Sequence, residues 1–167
     1  MTQDPTTLGS SDPLAVGAQA PDFTLVDKHG ASVTLSESGA MGRNALLVFY
    51  PFAFTGTCTG ELAAMRDRLE ELSNDTTDLI AVSCDSMYSL RRFAEQQQLE
   101  FPLLSDFWPH GGVSNAYGVF EPSRGCAIRG TYLIDTSGTI AWRVINGIPY
   151  ARDVDEYVAA IAELNGR

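Results

Sequence analysis

A single cysteine, Cys58, stands where the apolar run Asn44-Ala-Leu-Leu-Val-Phe-Tyr50 gives way, across Pro51-Phe-Ala-Phe-Thr-Gly-Thr57, to the helical pattern of residues 59–72. A thiol that opens a helix meets unpaired backbone N–H groups and the positive end of the helix dipole, and both favour thiolate over thiol. Position alone therefore makes Cys58 a candidate nucleophile. Three residues on stands Glu61 and not a second cysteine, so the segment is no C-x-x-C dithiol and disulfide exchange is disfavoured.

Pro51, Thr55 and Cys58 keep the spacing P-x-x-x-T-x-x-C, Glu61 follows, and Arg129 in Ile128-Arg-Gly-Thr-Tyr132 precedes a run with strand character. This set resembles the active-site residues of the peroxiredoxins. The likeness runs from Gln19-Ala-Pro-Asp-Phe23 to the last helix, through Phe101-Pro-Leu-Leu-Ser-Asp106 and Asn115-Ala-Tyr-Gly-Val119. The segment SDFWPHGGVSNAYGVF, with CTGEL, is most similar to the one-cysteine alkyl hydroperoxide reductase E subgroup. The resemblance implies a thioredoxin-like fold and a thiol-dependent peroxidase without metal, haem or flavin. It also implies a substrate range of hydrogen peroxide, alkyl hydroperoxides and peroxynitrite, a sulfenic acid at Cys58, and a homodimer.

Peroxide reduction needs a thiolate to attack one oxygen of an O–O bond while the other leaves, so cations and hydrogen-bond donors must surround both oxygens. Each of the five residues has a place in that demand. Cys58 supplies the sulfur. Thr55, one turn earlier, carries a hydroxyl able to bond the thiolate or the incoming peroxide; a plain helix cap is its other reading. Pro51 fixes φ where strand becomes loop and removes an N–H, shaping and shielding the pocket. Arginine keeps its charge and presents a planar fork, which suits Arg129 to face sulfur and peroxide together. Arg124 competes for that role, but strand alternation after Arg129 and the family pattern favour Arg129, and Arg124 reads as a solvated loop charge. Glu61 is placed to hold a guanidinium, or merely to suit the helix dipole.

Cys84 and Cys126 bear on recycling. Each reads first as a core cysteine. A resolving cysteine in this family often lies five residues after the peroxidatic one or in a C-terminal tail; position 63 is alanine and no cysteine follows Cys126. An external reductant, a low-molecular-weight thiol or a redoxin, is therefore expected to attack the sulfenic acid. His29 and His110 lack the neighbours of a metal site. His29 reads as a turn residue and His110 as part of an aromatic loop. One other class of function fits the same residues: a peroxide-sensing thiol switch or holdase whose turnover is incidental.

The elements that must position these groups follow from pattern. Phe23–Leu25 and Ser32–Leu35 flank Asp27-Lys-His-Gly30 as a hairpin. Strand 46–50 leads to the Cys58 helix, whose Leu62, Met65, Leu69 and Leu72 form one apolar stripe ending near Ser73-Asn74. Strand 79–82, a helix capped at residues 83–86 and running to about Gln97, strand 101–104, a short helix at 112–117, strands 130–134 and 139–144, and a helix over 153–164 complete the series. Strands alternating with helices and closing on a hairpin predict an α/β fold, a mixed central sheet flanked by helices. Residues 1–14 are polar and read as an N-terminal arm before a domain over 15–167.

Length and charge bound the rest. At 167 residues and 44% apolar composition, one domain can bury a sufficient core. A net charge of −10 with only eleven Lys and Arg argues against nucleic acid. The chain has no apolar run long enough for a membrane span and no export signal at its start, so a cytoplasmic protein with reduced thiols is expected.

Overall fold

The computed structural model describes residues 12–167. Most of the expected arm, residues 1–11, lies outside the described residues. Pro13 and Leu14 are tied to the domain: both carbonyls accept from Arg143 Nη1, at 2.8 and 2.7 Å, and the Leu14 N–H donates to the Tyr117 carbonyl.

Among the described residues, seven strands form one mixed sheet. They are β1 (Thr24–Asp27), β2 (Ser32–Thr34), β3 (Asn44–Phe49), β4 (Thr77–Ser83), β5 (Leu103–Ser105), β8 (Arg129–Ile134) and β9 (Ile140–Asn146), in the order β2-β1-β5-β4-β3-β8-β9. β3, β4 and β5 run parallel; β8 is antiparallel to β3 and to β9. β3 explains the unbroken apolar run at its position in the chain. It is buried on both faces, so alternation of side chains feeds two cores instead of separating apolar from polar. Leu46, Val48 and Tyr50 point into one cluster with Leu62 and Met65 of α2 (Gly56–Asp67), Leu72 of α3 (Leu69–Leu72), Leu90 and Phe93 of α4 (Met87–Gln97), and Tyr157 and Ile161 of α6 (Val154–Asn165). Ala45, Leu47 and Phe49 point into the other, with Tyr132, Ile134, and Tyr117 just after α5 (Gly112–Ala116). The sheet with helices on it is the expected α/β, thioredoxin-like architecture.

Three features depart from the pattern reading. The stripe through Leu62, Met65, Leu69 and Leu72 is not one helix: Arg68, at φ −123°, breaks it into α2 and α3. Leu72 still reaches the core across the break, so apolar spacing carries no trace of it. Short α1 (Ser36–Ala40) and the ribbon of β6 (Phe120–Glu121) with β7 (Cys126–Ala127) also escape the sequence reading, being too short for a period to register. Among the described residues no helix is long and apolar enough to cross a membrane.

Candidate active site

The end of β3 sets the geometry. Tyr50 N–H makes a last bond to the Val82 carbonyl, and Pro51, buried and without an N–H, ends the ladder. Four residues later Thr55 caps α2 in extended conformation, and the first helical bond runs from Thr59 N–H to the Thr55 carbonyl. The N–H groups of Gly56, Thr57 and Cys58 thus have no acceptor within the helix. Cys58 occupies the third helical position, not the first. It is 0% exposed and packs in the apolar cluster with Tyr50, Ala53 and Leu62.

The antiparallel register pairs Val48 with Thr131, and its continuation sets Arg129, the first residue of β8, across from Tyr50. Long-range pairing therefore delivers a cation to the start of α2. Arg129 Nη1 lies 3.3 Å from Cys58 Sγ and also donates to Glu61 Oε1, while its Nε donates to the Ile148 carbonyl at 2.6 Å. Glu61, one turn along α2 from Cys58, faces the same way. Arg124 is exposed in the β6–β7 turn, so the structure assigns the contact to Arg129.

A second arginine, which the sequence reading missed, completes the cluster. Arg152 donates to Glu61 Oε2 through its backbone N–H (2.7 Å) and Nε (2.9 Å), and to Oε1 through Nη2 (3.1 Å). Its Nη1 reaches the carbonyls of Phe49 and Gly130 and the Thr131 hydroxyl, tying α2, β3 and β8 together. Arg152 precedes Asp153, the N-cap of α6, and nothing in its local sequence separates it from a solvated charge. Glu61 is 7% exposed, and burial alone would raise its carboxyl; the hydrogen bonds and charge of Arg152, with Arg129 behind them, reverse this and hold it below its ordinary value of 4.5.

That depression has a signed consequence. A carboxyl lower in the folded than in the unfolded chain stabilises the fold above the unfolded value and loses this contribution as pH falls through the folded one. Replacing Glu61→Gln leaves two buried guanidinium groups without their anion and is expected to cost on the order of 3–5 kcal/mol at pH 7. Thermal melts of both proteins from pH 7 to 3 should converge as the pH drops below 4.5; a gap independent of pH would remove the ion cluster as its cause.

The remaining residues are placed less directly. Thr55 Oγ1 is exposed and donates to the Phe52 carbonyl at 2.8 Å, so the structure does not bring its hydroxyl onto Cys58. Cys84, just after β4, and Cys126, on β7, are both buried; burial pushes their thiols up to about 12 and about 11, the charge of Asp106 adding to the first. His29 lies in the β1–β2 turn. The His110 ring nitrogens face the Phe107 and Gly125 carbonyls, at 3.2 and 2.6 Å. Among the described residues, no three His, Cys, Asp or Glu side chains converge as a metal would require. A wide cleft lined by Lys28, His29, Arg66 and Arg91 lies at the other end of α2 from Cys58 and holds none of the residues that gather around the sulfur.

Comparison with known proteins agrees with the geometry. Residues 16–143 match the model of the AhpC/TSA family. Alkyl hydroperoxide reductase E of Mycobacterium tuberculosis is 47% identical over 152 residues, covering 90% of this chain and 98% of its own length. Among solved structures, the peroxidoxin BcpB of Mycobacterium tuberculosis superposes with a TM-score of 0.78 at 28% identity, covering 89% of this chain and 97% of that one. The reduced 2-Cys peroxiredoxin of Plasmodium vivax gives 0.80 at 27% identity, covering 92% and 83%.

Proposed function

Since this chain belongs to the AhpC/TSA family, the peroxiredoxins, and is a thiol-dependent peroxidase, we propose that Cys58 is its peroxidatic cysteine and that Arg129, Glu61, Thr55 and Pro51 serve it. The observation that carries this reading is the 3.3 Å contact between Arg129 Nη1 and the enclosed Cys58 sulfur. Charge accounting supports it. Arg129 and Arg152 bring two positive charges and Glu61 one negative, so a net positive charge lies beside the sulfur.

The thiolate attacks one oxygen of ROOH, the O–O bond breaks, and sulfur is oxidised by two electrons to a sulfenic acid. The departing RO⁻ takes a proton and leaves as alcohol, or as water from hydrogen peroxide. One reductant thiol then displaces water from the sulfenic acid to give a mixed disulfide, and a second releases Cys58. Arg129 stabilises charge on both reacting oxygens, and Glu61 aims Arg129. Pro51 shapes the wall. Thr55 would turn its hydroxyl from the Phe52 carbonyl to the peroxide. Because the sulfur is enclosed, access requires the exposed stretch from Phe54 to Thr57 to move.

The relative's name, alkyl hydroperoxide reductase, supports alkyl hydroperoxides as substrates beside hydrogen peroxide and peroxynitrite. We take residues 15–167 as the working domain, a homodimer as its state and an external low-molecular-weight thiol or redoxin as its reductant. Steady consumption of peroxide with such a thiol is the expected result; a chain that stops after one equivalent would be a sensor or holdase instead.

External recycling makes a prediction of its own. The thiols of Cys84 and Cys126 are raised by burial, which lowers their thiolate fraction, so a double variant Cys84→Ala, Cys126→Ala should turn over with external thiol at a rate within about threefold of wild type. If it reacts once and then accumulates over-oxidised Cys58 while wild type recycles, one of the two is a resolving cysteine.

A further inference from the structure

Between Tyr50 and the N-cap of α2 the chain makes a sharp reversal, with Phe54 at φ +68°, a region bulky side chains rarely occupy. Such a turn holds its shape only where the surroundings impose it. The Phe54 ring packs on Phe93 of α4, with centroids 5.2 Å apart, and the backbone is held one residue earlier by a side chain from a different strand connection. Ala53 N–H donates to Asp85 Oδ2 at 2.9 Å. The same oxygen accepts from Ser83 Oγ at 2.7 Å, and the Asp85 carbonyl is fixed by Ser105 Oγ of β5 at 2.7 Å, so the acceptor is itself held from two sides. The fully buried Tyr50 phenol adjoins Ser83 and Asp85, which marks this pocket as polar where the surrounding core is not.

We propose that Asp85 is a positioning residue for the reaction at Cys58, acting through the Ala53 N–H to anchor the base of the 51–55 loop, the fixed point from which residues 54–57 move to admit peroxide and Thr55 turns its hydroxyl to it. This rests on the peroxidase reading above. Asp85 touches neither sulfur nor substrate. Its effect is on the approach line, and a displacement of about 1 Å at a reacting centre is enough to cost on the order of a hundredfold in rate. An asparagine can place its carbonyl oxygen where Oδ2 now sits and keep both hydrogen bonds, whereas alanine keeps neither.

Two rates on the full-length protein test this: oxidation of Cys58 by hydrogen peroxide, followed by stopped-flow, and alkylation of Cys58 by iodoacetamide, which needs the thiolate but no peroxide pocket. Asp85→Ala is expected to slow peroxide oxidation by roughly 10- to 100-fold and alkylation by less than threefold, with Asp85→Asn restoring peroxide oxidation to within about threefold of wild type. If Asp85→Ala does not fold, Asp85→Glu carries the same expectation of slow oxidation, since its longer side chain cannot hold oxygen at the same point without moving the loop. Equal loss of both rates would make the role merely structural and overturn the proposal. So would a folded Asp85→Ala as fast as wild type, or an Asp85→Asn as slow as alanine. A wild-type protein that consumes no peroxide would overturn the peroxidase reading and this inference with it; a wild type that turns over beside an equally fast Asp85→Ala overturns this inference alone.

Discussion

Cys58→Ser is expected to lose peroxide turnover by about 10³-fold or more while folding normally. The size of the effect follows from chemistry that no neighbour can replace. A serine hydroxyl does not ionise near neutrality and does not take up an oxygen atom from a peroxide, so removing the sulfur removes the reaction and not merely its acceleration. The fold should tolerate the change. Cys58 is fully enclosed, but a serine oxygen there can accept from Arg129 Nη1 in place of sulfur, and the two side chains differ little in size. The expected stability change is within about 1 kcal/mol, as for a substitution that leaves no cavity and no unpaired group. Peroxide consumption, with melting temperature as the control, decides the matter. Substantial turnover in a folded Cys58→Ser protein would move the nucleophile to Cys84 or Cys126, both of which are raised by burial and far less suited to it.

The placements within the candidate site that were legible in the sequence are those whose partners are near in the chain. Cys58 and Glu61 lie one turn apart on α2, so their shared direction follows from helical spacing alone. Pro51 and Thr55 mark the strand end and the helix cap by residue type. Arg129 needed more, because it stands 71 residues from Cys58 and meets it only through the antiparallel pairing of β3 with β8; strand alternation and the family pattern together singled it out over Arg124. Arg152 had neither kind of signal. Its contacts are with Glu61, 91 residues away, and with backbone carbonyls whose positions only the folded sheet defines. Thr55 shows the opposite limit: its position was legible, but the acceptor its hydroxyl selects, the Phe52 carbonyl, is a matter of local rotamer. The break at Arg68 escaped for a related reason, since an apolar stripe reports which residues face the core and not whether the backbone between them is continuous.

Arg129→Lys separates charge from geometry at the reacting centre. The substitution keeps the net charge of the cluster, with two cations against Glu61, so any loss is due to shape. Arginine serves three partners at once: Nη1 meets both Cys58 Sγ and Glu61 Oε1, and Nε holds the Ile148 carbonyl. A lysine has one nitrogen at the end of a flexible stem and cannot span all three. Glu61 keeps its bonds to Arg152 and offers the strongest remaining attraction, so the ammonium is drawn toward the carboxylate and away from the sulfur. Loss of one preorganised donor from a charge-developing site costs roughly 10²- to 10³-fold in rate, and peroxide oxidation of Cys58 is expected to fall in that range. Stability should fall by only about 1.5–3 kcal/mol, the cost of a lost charged hydrogen bond, here to the Ile148 carbonyl. The two effects are measurable on one sample by stopped-flow oxidation and thermal melting. A rate equal to wild type would mean that positive charge alone suffices, which Arg152 could supply from behind Glu61, and the planar fork of Arg129 would then have no part in the reaction.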